Sequence, residues 1–260
     1  MIVLPRSPLG PAALAILAAV SLSPAAGEQR VAFAGESQPA GAPAISGYLT
    51  KPLGAGPFAA AVLLHSCLGL PRNRREIADR IAGWGYVALF VDDFSSRDLK
   101  ETCAADFGGA RSDAFGALAF LAALPYVDPK RVAAIGFSQG ADTALAIAAA
   151  PEAASGDLKF KAAAAFYPPC ANQEGAVFRL PTLVLVGEAD EVTPAADCER
   201  LAAAQAGATL VVYPKAAHGF DNPEFAGGKR ILGMWLQYDR AAAEGSMAAL
   251  RDFLGKRLAR

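Results

Sequence analysis

The chain is poor in the residues that metal and redox chemistry draw on. It has two histidines, His65 and His218, and four cysteines, Cys67, Cys103, Cys170 and Cys198. They form no metal-binding pattern, and there is no Walker sequence or dinucleotide fingerprint, so no metal and no cofactor is expected. An excess of charge of one sign is also missing. The 24 Lys+Arg against 25 Asp+Glu leave a net charge of −1, which offers little attraction for nucleic acid or an anionic membrane surface. The apolar stretch Leu9 to Leu22 is interrupted by Gly10, Pro11 and Ser21. It is too short to span a bilayer comfortably. With Arg6 ahead of it and Ser23-Pro24-Ala25-Ala26-Gly27 behind, residues 1–26 read as a secretory signal peptide, with cleavage after Ala25 or Gly27, rather than as a membrane anchor. No cysteine lies near that point to carry a lipid. The expected product is a periplasmic or secreted protein, free of the membrane once the signal is cleaved, in a compartment where cysteine pairs persist.

What is present is a large apolar fraction, 53% of the residues. That is enough for one core in a single domain over residues 27–260. The chain is organised around Gly136-Phe137-Ser138-Gln139-Gly140, which fits the G-x-S-x-G nucleophile elbow. A strand-like run, Arg131 to Ile135, precedes it, and an Ala-rich helical segment, Ala141 to Ala150, follows. Small residues let the chain turn sharply there, so that Ser138 projects above the sheet beside a helix N-terminus. A bare G-x-S-x-G occurs readily by chance in a chain with 25 glycines. The flanking strand and helix give this one its context.

Other buried strands are expected at 58–64, 86–91, 160–167, 181–187 and 209–213, because continuous apolar runs suit parallel strands covered on both faces. A short strand is expected at 31–34 and an edge strand at 45–50. Helices are expected at 72–82, 110–124, from Thr193 as N-cap with Pro194 in the first turn, and from Asp239 to about Leu258. Asp221 to Tyr238 reads as a long loop. Strands alternating with helices make an α/β fold, a mostly parallel sheet with helices on both faces. Only Ala171 to Leu180 separates two of its strands. That leaves no room for a cap domain, so an open site is expected.

A serine hydroxyl needs a base, and the base needs an orienting carboxylate. His218 follows the last strand of the sheet and is the one histidine placed as base. His65, on the loop after 58–64, reads as structural. Asp190 follows strand 181–187, and Ser138…Asp190…His218 is the α/β-hydrolase chain order. Glu188 and Asp197 compete for the carboxylate role; the first sits too close to the strand end and the second lies inside a helix. The backbone N–H groups of Cys67 and Gln139 are the expected oxyanion donors. The implied reaction is serine hydrolysis of a small ester or lactone through an acyl-enzyme. A binding protein on the same fold, or a peptidase or acyltransferase using the same three residues, is the alternative.

Six segments carry a family resemblance: 65–69 (HSCLG), 92–97 (DDFSSR), 136–140 (GFSQG), 166–170 (FYPPC), 187–190 (GEAD) and 218–220 (HGF). Together they resemble the dienelactone hydrolase family, in particular exported bacterial members with a serine nucleophile, over about Ile45 to Leu258. The resemblance implies that Arg97 holds a substrate carboxylate; the rival reading is an arginine paired with Asp93 or Asp98. The family's enzymes proper use a cysteine where Ser138 stands and a glutamate where Ser66 stands. Ester hydrolysis survives both departures. The cysteines follow the same side of successive strands, which suggests Cys67–Cys103 and Cys170–Cys198 from three connectivities, against free buried thiols.

Overall fold

The computed structural model describes residues 27–39, 41–104, 108–154 and 156–259. The signal-peptide expectation lies outside these residues. In chain order the elements are β1 (Gln29–Phe33), β2 (Ile45–Thr50), β3 (Phe58–Leu64), α1 (Arg74–Gly83), β4 (Val87–Asp92), α2 (Ala110–Ala122), β5 (Val127–Phe137) and α3 (Gln139–Ala149). There follow β6 (Ala162–Phe166), β7 (Thr182–Gly187), α4 (Ala195–Ala203), β8 (Ala208–Tyr213), β9 (Lys229–Ile231), β10 (Met234–Leu236) and α5 (Arg240–Arg257).

An eight-stranded sheet has the order β1-β2-β4-β3-β5-β6-β7-β8. β1, β2 and β4 pair antiparallel, and β4, β3, β5, β6, β7 and β8 pair parallel. The apolar runs are explained by burial on both faces. In β3, Ala61 and Leu63 pack with Ile77 and Ile81 of α1 and Leu250 and Leu254 of α5. The alternate residues Ala60, Val62 and Leu64 pack with Phe115, Leu118 and Leu121 of α2 and Ile147 of α3. Successive side chains of a strand point to opposite faces, so a strand inside a three-layer fold is apolar throughout. Leu201 of α4 joins Val184 and Val186 of β7 on the same side as α3.

β6 shows tertiary context overriding propensity. Ala162 to Ala165 would favour a helix in isolation. Here they pair in register with Ala133–Gly136 of β5 on one side, and Ala163–Ala165 pair with Thr182–Val184 of β7 on the other. Three expectations are corrected. The segment 45–50 is not an edge strand, because β1 pairs outside it. Thr193 does not cap α4: the cap position is Pro194, and no side chain bonds to the helix end. Within 221–238 the chain forms a short turn of 3-10 helix at Pro223–Phe225 and a β9–β10 hairpin. This three-residue pairing is too short to announce itself by alternation. No domain is inserted between β6 and β7, and no described helix is long and apolar enough to cross a membrane.

Candidate active site

The C-terminal ends of β3, β5, β7 and β8 bring the candidate residues together, as expected of an open parallel sheet. Ser138 sits between β5 and α3 with φ +54° and ψ −113°. A non-glycine residue at positive φ is strained, and the surroundings hold it there. Its N–H donates to Phe166 O at 2.9 Å, and its carbonyl accepts from Ala141 and Asp142 N–H at 2.9 and 3.0 Å. The two glycines of the motif are required by close approach. A Cβ on Gly136 would run into the Gly140 carbonyl, and one on Gly140 into the carbonyls of Leu64 and His65.

Ser138 Oγ lies 2.9 Å from His218 Nε2, and His218 Nδ1 lies 2.8 Å from Asp190 Oδ2. All three residues are buried. Nδ1 faces a carboxylate and therefore carries the proton, which leaves the Nε2 lone pair for the serine hydroxyl. Asp190 is fixed from its other side. Oδ1 accepts from the N–H groups of Val192 and Thr193, each at 2.8 Å, and the Thr193 hydroxyl donates to Oδ2 at 2.9 Å. Thr193, read from the sequence as a helix cap, thus supports the carboxylate. The competitors are spent elsewhere: Glu188 accepts from Lys215 N–H at 3.0 Å, and Asp197 pairs with Arg200. Gly187 lets the histidine loop settle on β7, since a Cβ there would collide with Ala216 O.

Tyr167 was not singled out as a site residue by sequence reasoning. It takes φ +42° just past β6, and its ring stands edge-on to His218 with centroids 4.6 Å apart. Its hydroxyl donates to Asp221 Oδ1 at 2.6 Å. Loss of hydration, then the charges of Asp221 and Asp190, push the Tyr167 phenol well above its usual range. Burial likewise raises the Asp221 carboxyl, against the Tyr167 hydrogen bond. The hints in the sequence were the place of Tyr167 at the end of an apolar run, facing a Pro-Pro stop, and within the family segment 166–170.

A cavity of about 280 Å³ opens over Ser138 and His218. Leu68, Leu70 and Ile77 form one wall, and Ile231, Met234 and Leu236 of the hairpin form another. The hairpin is anchored to the His218 loop: Gln237 N–H donates to His218 O at 3.1 Å, and Leu236 bridges to His218. The site therefore lacks a cap domain, yet the hairpin walls it on one side.

His65 lies on the loop after β3. Nε2 forms an ion pair with Asp93 Oδ1 at 2.6 Å, and Nδ1–H donates to Ser66 O at 2.7 Å. Burial pulls its pKa down most strongly, but the Asp93 hydrogen bond and charge, the Ser66 carbonyl and the Asp92 charge together raise it above 6.5. With an acceptor at both ring nitrogens, the imidazolium is the form that fits. Cys67, next on this loop, is bonded to Cys103, and Cys170 to Cys198.

Comparison with known proteins decides the family. The family model described as "Dienelactone hydrolase family" matches residues 45–258. The chain belongs to the dienelactone hydrolase family. It is accordingly a carboxylic ester hydrolase with an α/β-hydrolase fold. A Synechocystis sp. protein, provisionally described as a carboxymethylenebutenolidase, is 26% identical over 211 residues, 68% of this chain and 81% of that protein. Two solved structures share the fold. One is a dienelactone hydrolase-like promiscuous phosphotriesterase from metagenomic libraries: TM-score 0.70, 23% identity, 90% of this chain and 99% of that one. The other is esterase 2 of Thermogutta terrifontis with propionate bound: TM-score 0.64, 22% identity, 88% and 95% of the two chains.

Within this dienelactone hydrolase-family chain, Arg97, expected to hold a substrate carboxylate, is engaged by groups of the protein itself. Its guanidinium meets the buried Asp113 of α2 with both branches, Nη1 to Oδ2 at 2.8 Å and Nη2 to Oδ1 at 3.0 Å. Nη1 also donates to Asp93 O at 2.6 Å. Asp113 is 1% exposed, and burial raises its pKa against the Arg97 hydrogen bond. A carboxylate so placed holds its cation firmly, because an unpaired buried charge costs several kcal/mol, on the order of 3–5. Arg97 is not among the residues lining the cavity. Of the partners weighed from the sequence, Asp93 is met through its carbonyl, and Asp113, on a helix further along the chain, is one that sequence reasoning did not weigh.

Proposed function

We propose that the chain is a serine esterase that cleaves small carboxylic esters or lactones through Ser138, His218 and Asp190. The observation that carries this reading is the continuous contact from Ser138 Oγ through the His218 ring to Asp190, at 2.9 and 2.8 Å, on the floor of the cavity. As Ser138 Oγ bonds to the ester carbonyl carbon, its proton passes to His218 Nε2, and Asp190 stabilises the imidazolium. The oxyanion is held by the N–H groups of Cys67 and Gln139. Collapse breaks the bond to the alcohol oxygen, which takes the proton from His218 and leaves the acyl-Ser138 ester. Water then gives a proton to His218 Nε2 as its oxygen bonds to the acyl carbon; collapse breaks the bond to Ser138 Oγ, which takes that proton back from His218, and the acid leaves.

The apolar walls suit an aliphatic acyl or alkyl group. The two disulfides suit an exported protein, and we place the enzyme in the periplasm or medium after removal of residues 1–26. Hydrolysis of short p-nitrophenyl esters by the mature protein and by Ser138→Ala tests the reading. Turnover in the parent that is lost in the variant is expected, and full turnover in Ser138→Ala overturns it. N-terminal sequencing of exported protein is expected to begin near residue 27; a start at Met1 refutes the cleavage.

A further inference from the structure

The two backbone donors assigned above to the oxyanion come from loops far apart in the chain, at Cys67 and at Gln139. Both loops are fastened to one short segment, Thr102-Cys103. Cys67 is joined to Cys103 by a disulfide, and its carbonyl accepts from the Thr102 N–H at 2.9 Å. The Gln139 side chain is held by Thr102: its Oε1 accepts from the Thr102 hydroxyl at 2.7 Å, and its Nε2 donates to Thr102 O at 3.4 Å. Thr102 is buried, and Glu101 secures the turn by accepting from Cys103 N–H at 2.7 Å. Gln139 opens α3, where a polar side chain gains most of its hydrogen bonds from water unless another element claims it. Here a loop from beyond β4 claims it.

An oxyanion hole acts only if its donors converge on the place where charge develops, and a displacement of about 1 Å can cost two orders of magnitude in rate. β3 and β5 pair side by side up to Leu64 and Gly136 and bring the two loops close. The Thr102–Cys103 pair ties them a second time above the sheet, because it holds one loop through a covalent bond and the other through two hydrogen bonds. Neither residue lines the cavity. We infer that Thr102 is a positioning residue: braced by the Cys67–Cys103 disulfide, it holds the Gln139 peptide against the Cys67 peptide and so sets the span of the oxyanion hole. This rests on the serine esterase reading above.

The test compares Thr102→Val, which removes the hydroxyl and keeps the backbone bond to Cys67, with Thr102→Ser, which keeps the donor. Steady-state hydrolysis of p-nitrophenyl butyrate is measured alongside inhibition by a short trifluoromethyl ketone, whose serine adduct places an oxyanion in the hole. In Thr102→Val, kcat is expected to fall roughly tenfold, with KM within about twofold and ketone affinity falling in parallel with kcat. Thr102→Ser restores both. Loss of rate carried by KM with ketone binding intact overturns the inference, as does equal loss in the valine and serine variants, or a valine variant like the parent. Should Thr102→Val melt far below the parent, Cys103→Ser decides: a drop in kcat and ketone affinity at unchanged KM supports the brace, and parental kinetics refute it. Ser138→Ala run beside them separates the two readings, since activity retained there removes the esterase mechanism itself.

Discussion

Replacing Asp190 by asparagine should leave the site assembled but inactive, and the structure says why. Oδ1 of Asp190 accepts the Val192 and Thr193 N–H groups at 2.8 Å each. Those donors cannot face an amide NH2, so in Asp190→Asn the carbonyl oxygen must take the Oδ1 place. The NH2 is then forced into the Oδ2 place, 2.8 Å from His218 Nδ1. A donor there can only meet the Nδ1 lone pair, and the ring proton moves to Nε2, facing Ser138. The histidine has become a donor where a base is needed. The Thr193 hydroxyl can turn to Tyr167 O, which lies 3.2 Å away, and accept from the new NH2, so every buried group keeps a partner. Stability should therefore hardly change, while kcat/KM falls roughly ten-thousand-fold, about 5 kcal/mol of transition-state stabilisation. The assay is p-nitrophenyl acetate hydrolysis near pH 7, with melting temperature as control. Glu188→Gln, at an exposed position, and Asp197→Asn, half-buried beside Arg200, should stay within about twofold of the parent. If Asp190→Asn kept more than about a tenth of the parental rate, the assignment of the carboxylate, and with it the tautomer argument, would fall.

Other outcomes follow from the same geometry. Gly140→Ala drives a Cβ into the carbonyls of Leu64 and His65; a loss of about 1–3 kcal/mol in denaturant unfolding, with loss of turnover, is expected, and parental stability would refute the close approach. His65 has its folded pKa raised above 6.5. Its ion pair with Asp93 therefore contributes stability in full below 6.5, and the contribution is lost as pH rises through the raised value. Urea midpoints taken from about pH 6 to about pH 9 should fall in the parent and lose that slope in His65→Gln; identical slopes would refute a buried imidazolium. Ile231 and Met234 face the cavity from the hairpin. Ile231→Trp should depress hydrolysis of p-nitrophenyl hexanoate roughly tenfold more than that of the acetate, and an unchanged ratio would take the hairpin out of the substrate's path.

Legibility tracked the range over which each feature is decided. The elbow needs only neighbours in the chain: a strand, two glycines, a serine and a helix. The triad order needed the sheet topology as well, which apolar runs of strand length supply. Arg97 could not be read this way. Its position past β4 agrees with the family pattern, but its partner Asp113 sits on α2, and a buried carboxylate on a mostly apolar helix gives no sign of the cation it will claim. Thr193 failed for a similar reason: Thr-Pro before a helix signals a cap, and only the arrival of Asp190 redirects the hydroxyl. The hairpin at 229–236 was invisible because its strands are three residues each and draw their order from the His218 loop.

The sequence by itself determined the layered α/β fold, the elbow serine and its place at a strand end, because these rest on periodicity, small residues and short-range turns. Tertiary structure alone decided which cation meets which carboxylate, which side chains brace the serine–histidine–aspartate line, and how the cavity is walled. Those outcomes depend on where separate loops arrive over the same sheet edge. There, a hydrogen bond a few ångströms long joins residues that chain order holds far apart.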